Sequence, residues 1–260
     1  MTQQARNIMT ESGCDLLCIG PHTDDAEIAL GGTIRLLANR GRRVWVCDLT
    51  RGELASNADP DERWREAERA STVLGLTGRV QLSLPDGFID PGRHSQAEAL
   101  VWVLRRLRPR WVVTVPEPRR HPDHVATPAL VRRAVFLARL RSMEATVPEG
   151  LWWGAEPPGD GVEPWIPEAV GDTCLPGVEP DLIFDVSECW AAKVNALECY
   201  ASQFQRHPER HPTAINDPDF MVKIDDRARA WGRRIETDRG EALRMDAVPV
   251  LNDLPSERWA

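Results

Sequence analysis

Two short clusters of histidine and aspartate contain the side chains of this sequence that are best suited to bind a metal ion. In the first, His22 precedes Asp25 by three residues, close enough for both side chains to bind one ion from a single turn. The second reads His121-Pro122-Asp123-His124. If the two clusters meet in space, they could supply three ligands and leave a fourth position for water, which is the arrangement of a catalytic zinc ion.

The same clusters hold the other groups that metal-assisted hydrolysis requires. Zinc lowers the pKa of a bound water to roughly 7, which produces hydroxide at neutral pH. Asp24, a spare carboxylate in the first cluster, is placed to accept the proton of this water. His121 lies one helical turn before His124 and, if protonated, could stabilise the oxyanion of a tetrahedral intermediate.

Each cluster also has an ordinary structural explanation when it is taken alone. A His-x-x-Asp pair commonly caps a helix or lies on the surface, and a His-Pro-Asp-His segment suits a loop with an Asx turn. Both clusters, however, follow apolar segments that predict buried strands, at residues 15–20 and 110–115. Ligands of an open α/β sheet bind at the carboxyl ends of its strands, so the conjunction favours a metal site.

The elements that must position these clusters alternate along the chain. Further strands are predicted at residues 43–49, 79–84, 181–186 and 247–251, and helices at residues 26–40, 61–74, 95–107, 125–140, 188–204 and from about 218 to 235. This alternation predicts an α/β fold with a Rossmann-like, mostly parallel sheet, helices on both faces, and a single domain over residues 1–260. Residues 143–177, rich in Trp and Pro, are predicted to form an irregular insert.

Composition excludes several classes of partner and location. The net charge is −8 over 260 residues, which argues against a nucleic-acid partner because a polyanion requires a basic surface. No apolar run approaches a membrane span and the first residues contain no signal-peptide core, so a cytoplasmic protein without a membrane partner is predicted. None of the six cysteines forms a CxxC pair, and reduced, buried thiols are expected.

The motifs resemble a known enzyme family. Residues 21–27, the Gly31-Gly32-Thr33 segment and residues 121–124 resemble the PIG-L/LmbE-like zinc-dependent N-deacetylases. Within that family, residues 47–54, 84–87, 120–124 and 193–204 are similar to the bacillithiol-pathway enzymes that hydrolyse N-acetylglucosaminyl malate. The resemblance implies one zinc ion per subunit with His22, Asp25 and His124 as ligands, Asp24 as general base, and His121 as acid or oxyanion stabiliser, oriented by Asp123.

The resemblance also implies residues that bind a small anionic amino-sugar substrate. Arg63 and Arg51 would bind a malate carboxylate through their planar guanidinium groups, Asp86 would lie near the sugar hydroxyls, and Tyr200 would reach the mouth of the site. Arg120 adjoins the metal loop. Each arginine could instead be a solvated surface charge, an alternative weaker for Arg63 than for Arg51 and Arg120, and Tyr200 could be a half-buried helix residue. Glu27 is expected to favour its helix through the dipole of the first turn.

Several alternatives remain open from the sequence. Residues 55–60 lack the glycine-rich pattern of close relatives, so another acetylated glycoconjugate or a thiol conjugate could be the substrate. Two histidines and a carboxylate also suit a non-haem Fe2+ oxygenase, although the α/β pattern disfavours it, and another divalent metal could replace zinc. A catalytically inactive metal-binding regulator is disfavoured by Asp24. Relatives of this type often form hexamers, so a homo-oligomer is expected.

Overall fold

Parallel strands form the centre of the sheet, as the strand–helix alternation predicts. The computed structural model describes residues 13–117, 121–155 and 161–247. Its strands are β1 (Cys14–Gly20), β2 (Val44–Thr50), β3 (Gly78–Leu84), β4 (Pro109–Thr114), β5 (Trp152–Trp153), β6 (Ala169–Thr173), β7 (Leu182–Asp185) and β8 (Gly240–Met245). Their order is β5-β3-β2-β1-β4-β6-β8-β7. The five neighbouring strands β3, β2, β1, β4 and β6 are parallel. Antiparallel β5 closes one edge, and β8 and β7 extend the other.

Helices cover both faces of this sheet. They are α1 (Asp25–Asn39), α2 (Pro60–Leu74), α3 (His94–Leu107), α4 (Pro122–Ala138), α5 (Trp190–Glu198), α6 (Ala201–Phe204) and α7 (Pro218–Arg234), with a 3-10 turn at Ser187–Cys189. Along β1, Leu17 packs with α3 and α4, whereas Leu16 packs with α1 and α2. Alternate side chains of a strand point to opposite faces, so β1 is buried on both sides and forms a continuous apolar run. The predicted single-domain α/β fold is confirmed.

The register of the central strands brings the two histidine clusters to one edge of the sheet. Ile19 of β1 pairs with Thr114 of β4, and Gly20 of β1 pairs with Asp48 of β2. The loops that follow β1, β2 and β4 therefore leave the sheet side by side. Proline stands at the start of α2 and of α4, where its missing N–H is not required and its fixed φ suits the first turn.

The prediction of an irregular insert at residues 143–177 is wrong for two stretches. Trp152 and Trp153 pair with Gln81 and Val80 at the edge of the sheet, and Ala169–Thr173 forms β6 beside β4. The sequence of β6 is short and half polar, so it gives little strand signal. Gly171, which suggests a loop, is required by packing, because a Cβ there would lie 2.5 Å from the carbonyl oxygen of Arg244.

Other element boundaries near the C-terminal end also differ from the prediction. The helix predicted at residues 188–204 is divided into the 3-10 turn, α5 and α6, with a break at Tyr200. The last described strand is β8, which ends before the predicted strand at residues 247–251 begins, and residues 248–251 lie outside the described residues. All six cysteines are free thiols, and five of them are buried. Within the described residues, no helix has the length and apolar character needed to cross a membrane.

Candidate active site

Three side chains from two strand ends converge on one point. His22 follows β1, Asp25 is the first residue of α1, and His124 lies in the first turn of α4. One ligand atom from each of the three lies within 4.8 Å of the other two, and the rings of His22 and His124 are 5.5 Å apart between centroids. The sequence-distant clusters therefore meet, as the strand order requires.

Asp25 lies between the two imidazoles. Its Oδ1 is 3.2 Å from Nε2 of His124, and its Oδ2 is 3.3 Å from Nδ1 of His22. The backbone N–H of His22 donates to the same Oδ2 at 2.9 Å, which fixes the carboxylate within its own turn. Although burial opposes ionisation, His124 and His22 hold the pKa of Asp25 well below its usual range.

The outward nitrogens of both histidines are held by acceptors. Nε2 of His22 is 3.1 Å from Oδ1 of Asp86 and 3.5 Å from Oδ2 of Asp123. Nδ1 of His124 is 2.9 Å from the carbonyl oxygen of Val115. Contacts of this kind orient metal-binding histidines and select the tautomer that leaves the other nitrogen free for the metal.

Backbone amides fix the two outer carboxylates in turn. The amide of Leu54 donates to Asp86 at 3.0 Å, and the amides of Gly87 and Ile89 donate to Asp123 at 2.8 and 3.1 Å. Asp86, His121, Asp123 and His22 form a second group whose atoms could also hold a cation. Because Asp86 and Asp123 already accept hydrogen bonds from these amides, the two carboxylates are better suited to orient His22 than to bind the metal themselves.

The residues fit a divalent metal by the chemistry of their donors. Two imidazole nitrogens and one carboxylate oxygen match the three-ligand set of catalytic zinc, and they also suit Fe2+. The surroundings favour positive charge: burial disfavours the imidazolium of His22, yet Asp123, Asp25 and Asp86 raise the pKa of His22 well above its usual value. A cation is therefore stabilised at this point, and His22, Asp25 and His124 are the residues that would hold a metal.

Asp24 provides a buried carboxylate beside this centre. It occupies the N-cap position of α1 but makes no side-chain capping bond. It is 2% exposed, and its Oδ2 has no hydrogen-bond partner, lying 3.5 Å from Nη2 of Arg63. Burial raises the pKa of Asp24 to about 7, against the opposing charge of Arg63. A carboxyl group in this state can exchange a proton near neutral pH.

Arg63 depends on a glycine that the sequence interpretation did not single out. The guanidinium of Arg63 is buried against Gly52, whose φ is +66°. A Cβ on Gly52 would lie 2.1 Å from Nη1 of Arg63, so only glycine leaves room for the arginine beside Asp24. A glycine in the turn after β2, followed by an arginine in the next helix, was the sequence signal that could have indicated this contact.

His121 lies at the rim of the centre, with its side chain 38% exposed. It is the N-cap residue of α4, and its Nδ1 accepts the backbone N–H of Asp123 at 3.3 Å. Its ring centroid is 4.7 Å from that of His22. Burial and the neighbouring His22 lower the pKa of His121. Since Nδ1 accepts, the neutral ring carries its proton on Nε2.

The remaining residues expected to bind substrate lie in different surroundings. Nη2 of Arg51 donates to Asp61 at 2.6 Å, and its guanidinium stacks over Trp152 at 4.8 Å. Tyr200 does not reach the mouth of the site: it is fully buried and its hydroxyl donates to Glu27. Because the chain breaks between α5 and α6 at this residue, the side chain of Tyr200 points into the core and contacts Glu27 on α1. Arg120 lies outside the described residues.

Comparison with known proteins places this geometry in a family. The family model described as GlcNAc-PI de-N-acetylase (PIG-L) matches residues 17–135. Diacetylchitobiose deacetylase from Thermococcus kodakarensis is 30% identical over 200 residues, which is 73% of this chain and 70% of that protein. Probable N-acetyl-alpha-D-glucosaminyl L-malate deacetylase 2 from Bacillus cereus is 26% identical over 216 residues, 78% of this chain and 90% of that protein.

A solved structure has the same fold over nearly the whole chain. The conserved protein TT1542 from Thermus thermophilus superposes with a TM-score of 0.77 and 31% identity, covering 95% of this chain and all of that one. The end of the first strand from Leu17, its acidic loop and the His-Pro-Asp-His segment fall within the region that the family model matches. The chain belongs to the GlcNAc-PI de-N-acetylase (PIG-L) family of N-deacetylases, hydrolases that act on N-acetyl amide bonds.

Proposed function

We propose that this protein is a zinc-dependent hydrolase that removes the acetyl group from an N-acetylglucosamine conjugate, with N-acetylglucosaminyl malate as the first candidate substrate. The observation that carries the proposal is the convergence of His22, Asp25 and His124 within 4.8 Å beside the buried carboxylate of Asp24, whose Oδ2 accepts no hydrogen bond. When bound, zinc supplies a Lewis acid that polarises the amide carbonyl and lowers the pKa of water to about 7.

Asp24 acts as the general base. Its Oδ2 is buried without a hydrogen-bond partner and can accept the proton of the attacking water. Arg63, 3.5 Å away, holds this carboxylate in place and favours its ionised form. After attack, the carboxylic acid of Asp24 can return the proton to the amine that leaves, so the group ends the cycle as it began.

His121 stabilises the charge that develops on the acetyl oxygen. Because Nδ1 of His121 accepts a hydrogen bond from the backbone N–H of Asp123, the ring proton lies on Nε2 and can be donated to the acetyl oxygen. The exposed position of this ring at the rim allows it to meet a substrate that enters from solvent. A single donor of this kind contributes about 10²- to 10³-fold to kcat in acyl-transfer enzymes.

Neighbouring polar groups support the proposed positions of the sugar and its aglycone. Oδ1 of Asp86 faces His22, and a sugar hydroxyl near it would complete the hydrogen bonds of this carboxylate. Arg51, which stacks on Trp152 and pairs with Asp61, is better exposed than Arg63 to receive a malate carboxylate, because Arg63 is 4% exposed and already faces Asp24. The named activity of the Bacillus cereus relative supports the malate conjugate.

A second candidate substrate is diacetylchitobiose, favoured by the 30% identity to the Thermococcus kodakarensis enzyme. The two candidates differ in charge, so Arg51 distinguishes them. If malate is bound by Arg51, then Arg51→Gln should raise KM for the malate conjugate by about tenfold, the value of one charge-assisted contact of roughly 1.4 kcal/mol, and leave chitobiose unaffected.

The test is release of primary amine from purified protein loaded with one equivalent of zinc. N-acetylglucosaminyl malate, diacetylchitobiose and free N-acetylglucosamine are compared by kcat/KM, with metal-free protein and Asp24→Asn as controls. Turnover that requires zinc and Asp24 supports the proposal. Amine release by metal-free protein would refute the zinc mechanism, and a higher kcat/KM for chitobiose than for the malate conjugate would refute the malate assignment.

A further inference from the structure

A fully buried group of charged side chains lies under the metal-binding turn and is not used in the proposed reaction. We call it the Arg79 network. It consists of Glu27 on α1, Asp48 on β2, Arg79 on β3 and Tyr200 after α5, none of them more than 1% exposed. Arg79 donates to both carboxylate oxygens of Asp48 at 2.6 and 2.8 Å and to Oε1 of Glu27 at 2.6 Å. The hydroxyl of Tyr200 donates to the same Oε1 at 3.0 Å.

Burying the Arg79 network costs desolvation free energy, which makes a purely stabilising role a poor explanation for it. Two carboxylates face one guanidinium, and Oε2 of Glu27 is buried with no hydrogen-bond partner. Burial raises the pKa of Asp48 to about 6 despite its two bonds from Arg79. Desolvation of such groups commonly exceeds their mutual attraction, so apolar side chains of similar volume would serve stability equally well. A role in fixing geometry explains why charged groups occupy this position.

Glu27 is placed to fix the first turn of α1. It follows Asp25 by two residues and Asp24 by three, within the same helical turn. A helix normally holds this turn with a capping side chain, but Asp24 at the N-cap makes no such bond, since its carboxylate is turned toward Arg63. The turn that carries both carboxylates therefore lacks its usual anchor, and Glu27 supplies one from below.

The partners of Glu27 belong to the rigid part of the fold. Asp48 lies on β2 and Arg79 on the neighbouring parallel strand β3, and both carboxylate oxygens of Asp48 accept hydrogen bonds from the guanidinium. The hydroxyl of Tyr200, in the segment that follows α5, donates a further hydrogen bond to Glu27. We propose that Glu27, held by Arg79 and Tyr200, is a positioning residue that sets the orientation of Asp24 and Asp25 toward the metal and its water.

This inference rests on the metal centre of the proposed function, and its test measures zinc affinity without substrate. The variants are Glu27→Gln, which keeps the shape of the side chain, and Tyr200→Phe, which removes one hydroxyl. The matched control is Glu241→Gln. Glu241 is another buried carboxylate that anchors α1, but it binds the amides of Gly32 and Thr33, two turns further along, together with Lys193.

Zinc dissociation constants are measured by competition with a chromophoric chelator, thermal unfolding is followed on the same samples, and kcat and KM are measured separately. Loss of an outer partner typically weakens metal binding by about 10- to 100-fold. We expect about tenfold weaker zinc binding and a similar fall in kcat for Glu27→Gln with KM unchanged, and about threefold for Tyr200→Phe. Glu241→Gln should lower Tm comparably while zinc affinity stays unchanged.

The outcomes separate the alternatives. If Glu27→Gln and Tyr200→Phe lose only Tm, with zinc affinity and kcat as in the unmodified protein, the network is structural and the inference is refuted. The same conclusion follows if Glu241→Gln weakens zinc binding as strongly. Should Glu27→Gln fail to fold, Tyr200→Phe decides alone. If the unmodified protein binds no zinc, the metal centre and this inference are both refuted.

Discussion

Replacing Gly52 by alanine tests the geometry on which Asp24 depends. The substitution has two separable effects. At a φ of +66°, an L-residue costs about 1–2 kcal/mol relative to glycine. The new Cβ would also lie 2.1 Å from Nη1 and 2.9 Å from Cζ of Arg63. Forcing an atom into a packed position costs about 1–3 kcal/mol more. The total destabilisation is therefore expected to be about 2–5 kcal/mol.

The chain contains a matched control for the backbone effect alone. Gly41 has a φ of +71°, close to that of Gly52, and a Cβ there would have no atom within 4 Å. Gly41→Ala should therefore cost only the first contribution, about 1–2 kcal/mol. Urea unfolding followed by tryptophan fluorescence gives both free energies of unfolding, and the difference between them isolates the displacement of Arg63.

Activity should follow the displacement and not the backbone cost. A catalytic group moved by about 1 Å can lose 10²-fold in rate, so Gly52→Ala should lower kcat/KM by about 10- to 100-fold, whereas Gly41→Ala should leave it unchanged. In an Arg63→Ala background the clash no longer exists, and Gly52→Ala should then cost no more than Gly41→Ala. If Gly52→Ala matches Gly41→Ala in both stability and rate, the assignment of Gly52 as the support of Arg63 is refuted.

Three further outcomes are expected from the described contacts. Asp24→Asn should lower kcat by about 10²- to 10⁴-fold while retaining zinc by chelator competition; retained turnover would exclude Asp24 as base. The guanidinium of Arg105 donates hydrogen bonds to the carbonyls of Ala138, Leu140 and Met143. Because Arg105→Gln removes these charged hydrogen bonds, it should lower the free energy of unfolding in urea by about 2–3 kcal/mol without changing kcat. A cost below about 1 kcal/mol would contradict this. Although burial opposes it, Arg43 lowers the pKa of Asp15 below 3.8, so the stabilisation is present above that pH and lost as pH falls further. Asp15→Asn should cost about 1 kcal/mol at pH 7 and progressively less below pH 3.8; a cost independent of pH would contradict the ion pair.

The sequence was sufficient to predict that His22, Asp25 and His124 converge, because strand ends impose proximity. Once residues 15–20 and 110–115 are buried parallel strands, the histidines that follow each strand must lie at the same edge of the sheet. Local spacing then brings His22 and Asp25 into one turn. Nothing beyond periodicity and the right-handed crossover rule is needed for this step.

The sequence was insufficient where long-range packing decides the position of a side chain. Tyr200 was expected at the mouth of the site, but the break between α5 and α6 directs its side chain into the core. There Glu27 accepts a hydrogen bond from its hydroxyl. Likewise, β6 is too short and too polar to predict, and it forms only because β4 and β8 provide partners on both sides. Neither contact leaves a periodic signal in the chain, since the partners lie far away in sequence.

The two helices that begin at the site explain why its acidic residues can coexist. The N-cap positions of α1 and α4 are occupied by Asp24 and His121, the proposed base and oxyanion donor. The positive ends of both helix dipoles therefore face the centre and favour the negative charge of Asp24 and Asp25. In α4, His121 still accepts an amide of its own turn, whereas Asp24 makes no capping bond and leaves α1 to be held by Glu27. Freeing a helix cap for chemistry thus requires a second anchor elsewhere in the same turn, and in α1 that anchor reaches through Arg79 to Asp48 on β2.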